Sequence, residues 1–253
     1  MRTATTLWRA RLKDFRSFSN RYPYRRYANR HRIVFIHIPK TGGTSILDAL
    51  GAGLNDRMHL NWRIYRHANK YRFQKYYKFA VVRHPHDRLR SVYHYLMRGG
   101  CGANDSALCE DIRRRAPTFE TFIMDYLSRS SLVLHNLFMP QAWFVCDELG
   151  HIMTDRILRF ENLNKEFSAL AQEQGWNLAD LPHRNTGTTR IDDTPMSQEC
   201  AVRIHELYEA DFDIFDYTDT LSNAQDPDDQ IGNFLRRETS RRMPGPSEPP
   251  TTN

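Results

Sequence analysis

The chain has 253 residues, 40% of them hydrophobic and 12% aromatic, and a net charge of +6. That is enough apolar mass for one large α/β domain or two small ones. No window approaches the ~20 consecutive apolar residues of a membrane span, and the N-terminus lacks the apolar core of an export signal. The four cysteines, at 101, 109, 146 and 200, form no C-x-x-C pair, which argues against a structural zinc site. Cys101 and Cys109 would suit a bridge in an oxidising compartment; without an export signal, four free thiols are expected.

The charge is uneven. Residues 1–32 hold ten Lys/Arg against one acid, Asp14, leaving 26 basic and 29 acidic residues elsewhere. The basic character therefore belongs to an N-terminal arm, 1–32, and no nucleic-acid partner is expected of the core. In the arm, arginines interleave with Trp8, Phe15, Phe18, Tyr22, Tyr24 and Tyr27. This suits an acidic surface, a polyanion or peripheral contact with lipid headgroups. The competing reading, a leader packed loosely on the domain, is favoured because charge-rich termini usually serve solubility. A folded domain over 33–225 follows, then a Pro-rich tail over 226–253 that reads as partly helical and then disordered.

From Ile33 to Ile38 the chain is almost continuously apolar and β-branched, which predicts a strand buried on both faces of a parallel sheet. His37 lies in that run and reads as a core residue. Pro39 cannot donate to a ladder and should end the strand. Gly42 and Gly43 permit a tight turn and close approach of the backbone to a ligand. Thr44 or Ser45 then caps a helix with Ile46, Leu47 and Leu50 on one face, ending near Gly51. Strand, turn and helix start make an anion site, to which Lys40 adds a charge and Thr41, Thr44 and Ser45 add hydroxyl donors. The pattern G-x-x-x-x-G-K-[ST] does not fit, because the lysine precedes the glycines.

Residues 57–78 contain Arg57, Arg63, Arg66, Lys70, Arg72, Lys75 and Lys78 and no acid, with aromatics interspersed and no Gly or Pro. A helix is predicted. Its cations and rings suit a saccharide or anionic acceptor; equally, it is a solvated helix whose rings face the core. A second buried strand, 79–82, ends in Arg83-His84-Pro85, and Asp87 caps a helix closed by Gly99-Gly100. A Mg²⁺-dependent P-loop enzyme would want an aspartate at that strand end. Arginine instead offers a planar fork for bidentate phosphate binding, and Ser91 can add a hydroxyl. Residues 98–117 read as a loop, 118–128 as helical, 156–160 as a strand and 162–175 as a helix. A loop over 181–189 and a helix over 197–208 follow.

Pro39 to Ser45 resembles the 5′-phosphosulfate loop of sulfotransferases, whose donor is 3′-phosphoadenosine 5′-phosphosulfate (PAPS). Arg83 and Ser91 are similar to the pair that grips the 3′-phosphate of that nucleotide. Gln141-Ala142-Trp143-Phe144, Asp147, Gly150, Arg159 to Leu163 and Phe167 look like the central part of the carbohydrate (chondroitin/heparan-type) sulfotransferases. Leu181 to Asn185, Leu207 to Phe212 and Tyr217 resemble their C-terminal part, so the likeness runs from about 33 to 217.

The resemblance implies a three-layer, P-loop-NTPase-like α/β fold with a central parallel sheet flanked by helices. It implies in-line, metal-independent transfer of a sulfuryl group from PAPS to a hydroxyl on a carbohydrate or another acceptor. Lys40, Thr41, Gly42, Gly43, Thr44 and Ser45 would hold the 5′-phosphosulfate, Arg83 and Ser91 the 3′-phosphate, and Arg184, Thr186 and Thr188 would close over the nucleotide. Lys40 would stabilise charge on the transferring group. His59 matches a histidine that these enzymes place between the two nucleotide motifs, and is the expected base; His67 and Glu161 are reserves. Two departures stand out: His84 replaces a common asparagine, and the membrane anchor of Golgi members is not seen. The compartment therefore does not transfer, and the cytoplasm is expected. The alternatives are a Mg-ATP-dependent P-loop kinase and a non-catalytic polyanion-binding module resting on 1–32 and 57–78.

Overall fold

The computed structural model describes residues 22–53, 56–100, 103–132, 135–176, 178, 181 and 196–218. In chain order the helices are α1 (Arg26–His31), α2 (Gly43–Ala49), α3 (Trp62–Ala68), α4 (Lys70–Lys75), α5 (Pro85–Met97), α6 (Ala103–Arg115) and α7 (Phe119–Thr121). After α7 comes a π-turn, Phe122–Tyr126, then α8 (Arg129–Leu132), α9 (Ala142–Val145), α10 (Leu163–Glu173) and α11 (Gln198–Phe215). Three strands, β1 (Ile33–Ile36), β2 (Tyr77–Val82) and β3 (Arg156–Arg159), pair in parallel in the order β1-β2-β3.

Both sheet faces are covered, as continuous apolar strands require. Ile33, Phe35, Phe79, Val81 and Leu158 face Tyr27 of α1, Ile46 and Leu47 of α2, and Phe167 and Leu170 of α10. On the other face Val34, Ile36, Ala80 and Val82 pack with Trp62, Tyr65, Phe73 and Phe144. Phe35 lies opposite Phe79 in register, and their rings stack 5.0 Å apart. A further core joins α5, α6, the π-turn and α11 through Leu89, Val92, Ile112, Phe122 and Ile204. The chain is thus α/β, a small parallel sheet flanked by helices.

Several elements depart from expectation for local reasons. β1 stops at Ile36, so His37 opens the following loop instead of lying in the strand. Gly42, with φ 80°, is the N-cap of α2, and no side chain caps it, so neither Thr44 nor Ser45 has that role. His84 is the N-cap of α5 because Pro85 takes the first helical position; Asp87 falls in the first turn. The single helix expected over 57–78 is two helices and the start of β2. Asn69, with φ −158°, breaks the run and accepts from Arg72 N at 2.8 Å, capping α4. An asparagine offers the backbone this alternative to continued helix.

The expected loop over 98–117 contains α6, whose Cys109 and Ile112 are buried at helical spacing, with Ala116 buried just past its end. α11 continues past a bend at Tyr208 to Phe215. The last residues of the basic arm are part of the folded body: Tyr24 and Tyr27 are buried, and Tyr24 Oη donates to the Tyr65 and Asn69 carbonyls at 2.9 and 3.1 Å. Cys109 is a free thiol; Cys101, the tail over 226–253 and the loop over 182–189 lie outside the described residues.

Candidate active site

The chemistry-bearing residues gather where the chain leaves the C-terminal ends of the three parallel strands, the usual ligand edge of such sheets. After β1 the chain passes Ile38 and Pro39 and adopts positive φ at Lys40 (67°) and Gly42 (80°). Left-handed backbone costs a lysine roughly 1 kcal/mol or more and persists only where its surroundings impose it. Thr41 is buried and donates its hydroxyl to the Ile38 carbonyl at 2.9 Å, so that hydroxyl braces the turn from within. A Cβ on Gly42 would lie 2.9 Å from Leu163 Cδ2 and 3.0 Å from Phe160 Cε2; one on Gly43 would lie 2.1 Å from the His37 ring. Gly43 is therefore required by close packing, and Gly42 chiefly by its φ. Thr44 is half-buried and Ser45 buried in the first turn of α2. The Lys40 ammonium sits over the Tyr95 ring, 4.5 Å from its centroid.

Arg83 stands one residue beyond β2 and is 9% exposed. Its N–H donates to Gln141 Oε1 at 2.9 Å, and Gln141 Nε2 donates to its carbonyl at 2.8 Å. The guanidinium stacks over Phe160, 4.3 Å from the ring centroid. Phe160, at the end of β3, thus lies between Arg83 and Gly42. Burial lowers the Arg83 pKa, and the nearby Asp87 and Glu161 oppose that shift; an arginine stays cationic regardless. Its buried Nε has no hydrogen-bond partner among the described residues. Ser91 is half-buried on α5.

His59 forms the third corner. Its Nδ1 lies 2.9 Å from the His37 carbonyl, which can only accept, so Nδ1 carries the proton and Nε2 the lone pair of the neutral ring. The two imidazole centroids are 4.3 Å apart. Burial is the main cause lowering the His59 pKa; the His37 carbonyl opposes it, and Arg88, His135 and Lys40 add to it. His37 is buried against Phe35 and Gly43, and burial holds its pKa well below 6.5. Of the two reserve bases, His67 is exposed at the end of α3, and Glu161 accepts from His84 N at 2.7 Å and Tyr217 Oη at 3.2 Å. His84 rests edge-on against Tyr217 and Phe212. Arg184, Thr186 and Thr188 lie outside the described residues.

A model of the sulfotransferase family matches residues 25–218. This chain belongs to the sulfotransferase family. No curated protein and no solved structure matches it. Its place in the family makes the edge just described the candidate site of sulfuryl transfer by a transferase. Among the described residues no helix is long and apolar enough to cross a membrane, and no cluster of three or more His, Cys, Asp or Glu could hold a metal.

Sequence reasoning gave no role to two buried residues beside this candidate site. Arg88 is fully buried and donates to three backbone carbonyls; Asp211 is fully buried and accepts two backbone N–H groups. A signal existed: Arg88 sits on the stripe with Leu89, Val92 and Leu96, and Asp211 on that with Ile204, Leu207 and Phe215. A lone charge on an apolar stripe marks a buried polar anchor.

Proposed function

We propose that the chain transfers a sulfuryl group from PAPS to a hydroxyl, with a carbohydrate as the favoured acceptor. The observation that carries this reading is Arg83: a buried arginine at a strand end, whose Nε has no partner among the described residues, where a Mg-ATP enzyme needs a carboxylate. The residues present fit an anionic nucleotide. Lys40 and the Gly42–Gly43 turn are set for its phosphosulfate, and Arg83 and Ser91 for its 3′-phosphate. Arg184, Thr186 and Thr188 remain proposed contacts. PAPS, when bound, supplies the sulfuryl group and leaves as adenosine 3′,5′-bisphosphate.

His59 Nε2 takes the proton of the acceptor hydroxyl as its oxygen bonds to sulfur and the bond from sulfur to the phosphate oxygen breaks. Lys40 offsets the charge developing on the transferred group and the departing phosphate; fixed charges aimed in this way usually contribute more to the rate than any other single effect. The carbohydrate preference draws support from α3 and α4, where Arg66, Lys70 and Lys75 are exposed beside Tyr71, itself 68% exposed.

Calorimetric titration with adenosine 3′,5′-bisphosphate and with ADP tests the donor. The bisphosphate should bind without metal and in preference to ADP, and Arg83→Ala should remove that preference. Binding of ADP that requires Mg²⁺, with no preference for the bisphosphate, would replace this reading with a kinase.

A further inference from the structure

One short segment, 136–142, bonds directly to two corners of the site, His59 and Arg83, and is linked to the third, the Lys40 loop, through Arg88. Asn136 Nδ2 donates to the His59 carbonyl at 3.4 Å. The carbonyls of Leu137 and Met139 accept from Arg88 Nη2 at 3.2 and 2.9 Å, and Arg88 Nε donates at 3.2 Å to the carbonyl of Pro39, the residue before Lys40. Gln141 closes its two-bond ring on the Arg83 backbone. From the far side α11 holds the segment in place. Tyr208 Oη donates to the Phe138 carbonyl at 2.6 Å, and the Asp211 carboxylate accepts from Gln141 N and Ala142 N, each at 2.8 Å. Arg88, Gln141 and Asp211 are each fully buried.

The Gln141 contact differs in kind from the others. β2 ends at Val82, whose ladder partner is Arg159, so the sheet no longer fixes the backbone at Arg83. The Gln141 amide supplies that missing rung, with one donor and one acceptor on one side chain. It sets the direction in which the Arg83 side chain leaves the backbone, while Phe160 fixes the plane of the guanidinium at the other end. A planar fork discriminates between phosphates only when it is aimed to within a small angle.

We propose that Gln141 is a positioning residue for the nucleotide 3′-phosphate, aiming Arg83 and, through 136–142, keeping it in register with the Lys40 loop and His59. This rests on the sulfotransferase reading above. A wholly structural glutamine would affect every ligand alike; one that acts through Arg83 affects only recognition of the 3′-phosphate.

The test is titration of the full chain with adenosine 3′,5′-bisphosphate and with adenosine 5′-monophosphate, for wild type, Gln141→Met, Arg83→Ala and the double variant. Gln141→Met should weaken bisphosphate binding by about tenfold or more, as expected for a misaimed contact, with monophosphate affinity kept within about twofold. The double variant should bind the bisphosphate no more weakly than Arg83→Ala alone, because the two residues act as a unit. If Gln141→Met does not fold, Gln141→Asn, which keeps the amide on a shorter stem, should give a smaller loss with the same selectivity. Equal losses for both nucleotides, or additive losses in the double variant, would overturn the role of Gln141 alone. A wild type that does not distinguish the two nucleotides would overturn the donor assignment and this inference with it.

Discussion

At the level of single residues, the proposed chemistry turns on His59 and Lys40. With its Nδ1 proton committed to the His37 carbonyl, neutral His59 offers only Nε2 as a base. Its pKa lies below 6.5, mainly because it is buried, so the base form prevails at neutral pH and is lost as pH falls through that lowered pKa. The acid limb of kcat/KM, which reports the free enzyme, should therefore have its inflection below 6.5. Removing the base in His59→Ala should lower kcat/KM by about 10²–10⁴-fold and flatten that limb, with bisphosphate affinity little changed. A variant that kept most of its activity at neutral pH would exclude His59 as the base. For Lys40→Ala a fall in kcat of about 10²–10³-fold is expected, with a smaller effect on nucleotide binding.

At the level of elements, the turn between β1 and α2 has little tolerance. In Gly43→Ala the new methyl would lie 2.1 Å from the His37 ring, which cannot move far between Phe35 and the turn. Overpacking of this kind costs about 1–3 kcal/mol, so thermal melts should show a lowered Tm and activity should fall further than stability alone explains. An unchanged Tm would mean that His37 can swing away. This element was legible in the sequence because strand, glycine turn and helix each carry a strong local signature. The boundaries were less so: Gly42 is the N-cap of α2, two residues before the expected cap at Thr44. Helix α6 was hidden because its buried positions, Cys109 and Ile112, lie among exposed charges and follow Gly99, Gly100 and Gly102. Asn69 looked like one more helical residue, since nothing local says whether an asparagine side chain will bond its own backbone. The brace at 136–142 was illegible for another reason: Gln141 meets Arg83 from 58 residues away, and Asp211 meets Gln141 from 70.

At the level of the whole molecule, His37 in the core and the half-buried His31 and His59 all resist protonation in the folded chain. Burial is the first cause of the lowered pKa at both His37 and His59. Below 6.5 the unfolded chain takes up protons that the folded chain does not, so stability falls with pH, by up to about 1.4 kcal/mol per pH unit for each histidine. Asp211 works in the opposite sense at lower pH. Burial raises its pKa, so its share of stability is greatest when it is protonated and declines as pH rises through and above 3.8. Urea unfolding between pH 7 and pH 5 should show the histidine slope, and His37→Gln should reduce it; an unchanged slope would refute His37 as a source.

The central claim is sulfuryl transfer itself. The most direct measurement follows label from sulfur-labelled PAPS into a panel of polysaccharides with free hydroxyls, in the presence of a metal chelator, for wild type and Lys40→Ala. Wild type should yield labelled polysaccharide, matched by equal release of adenosine 3′,5′-bisphosphate, and turnover should be at least about 10²-fold lower in Lys40→Ala. Equal turnover by the two proteins, or wild type that binds the nucleotide yet labels no hydroxyl acceptor, would contradict it.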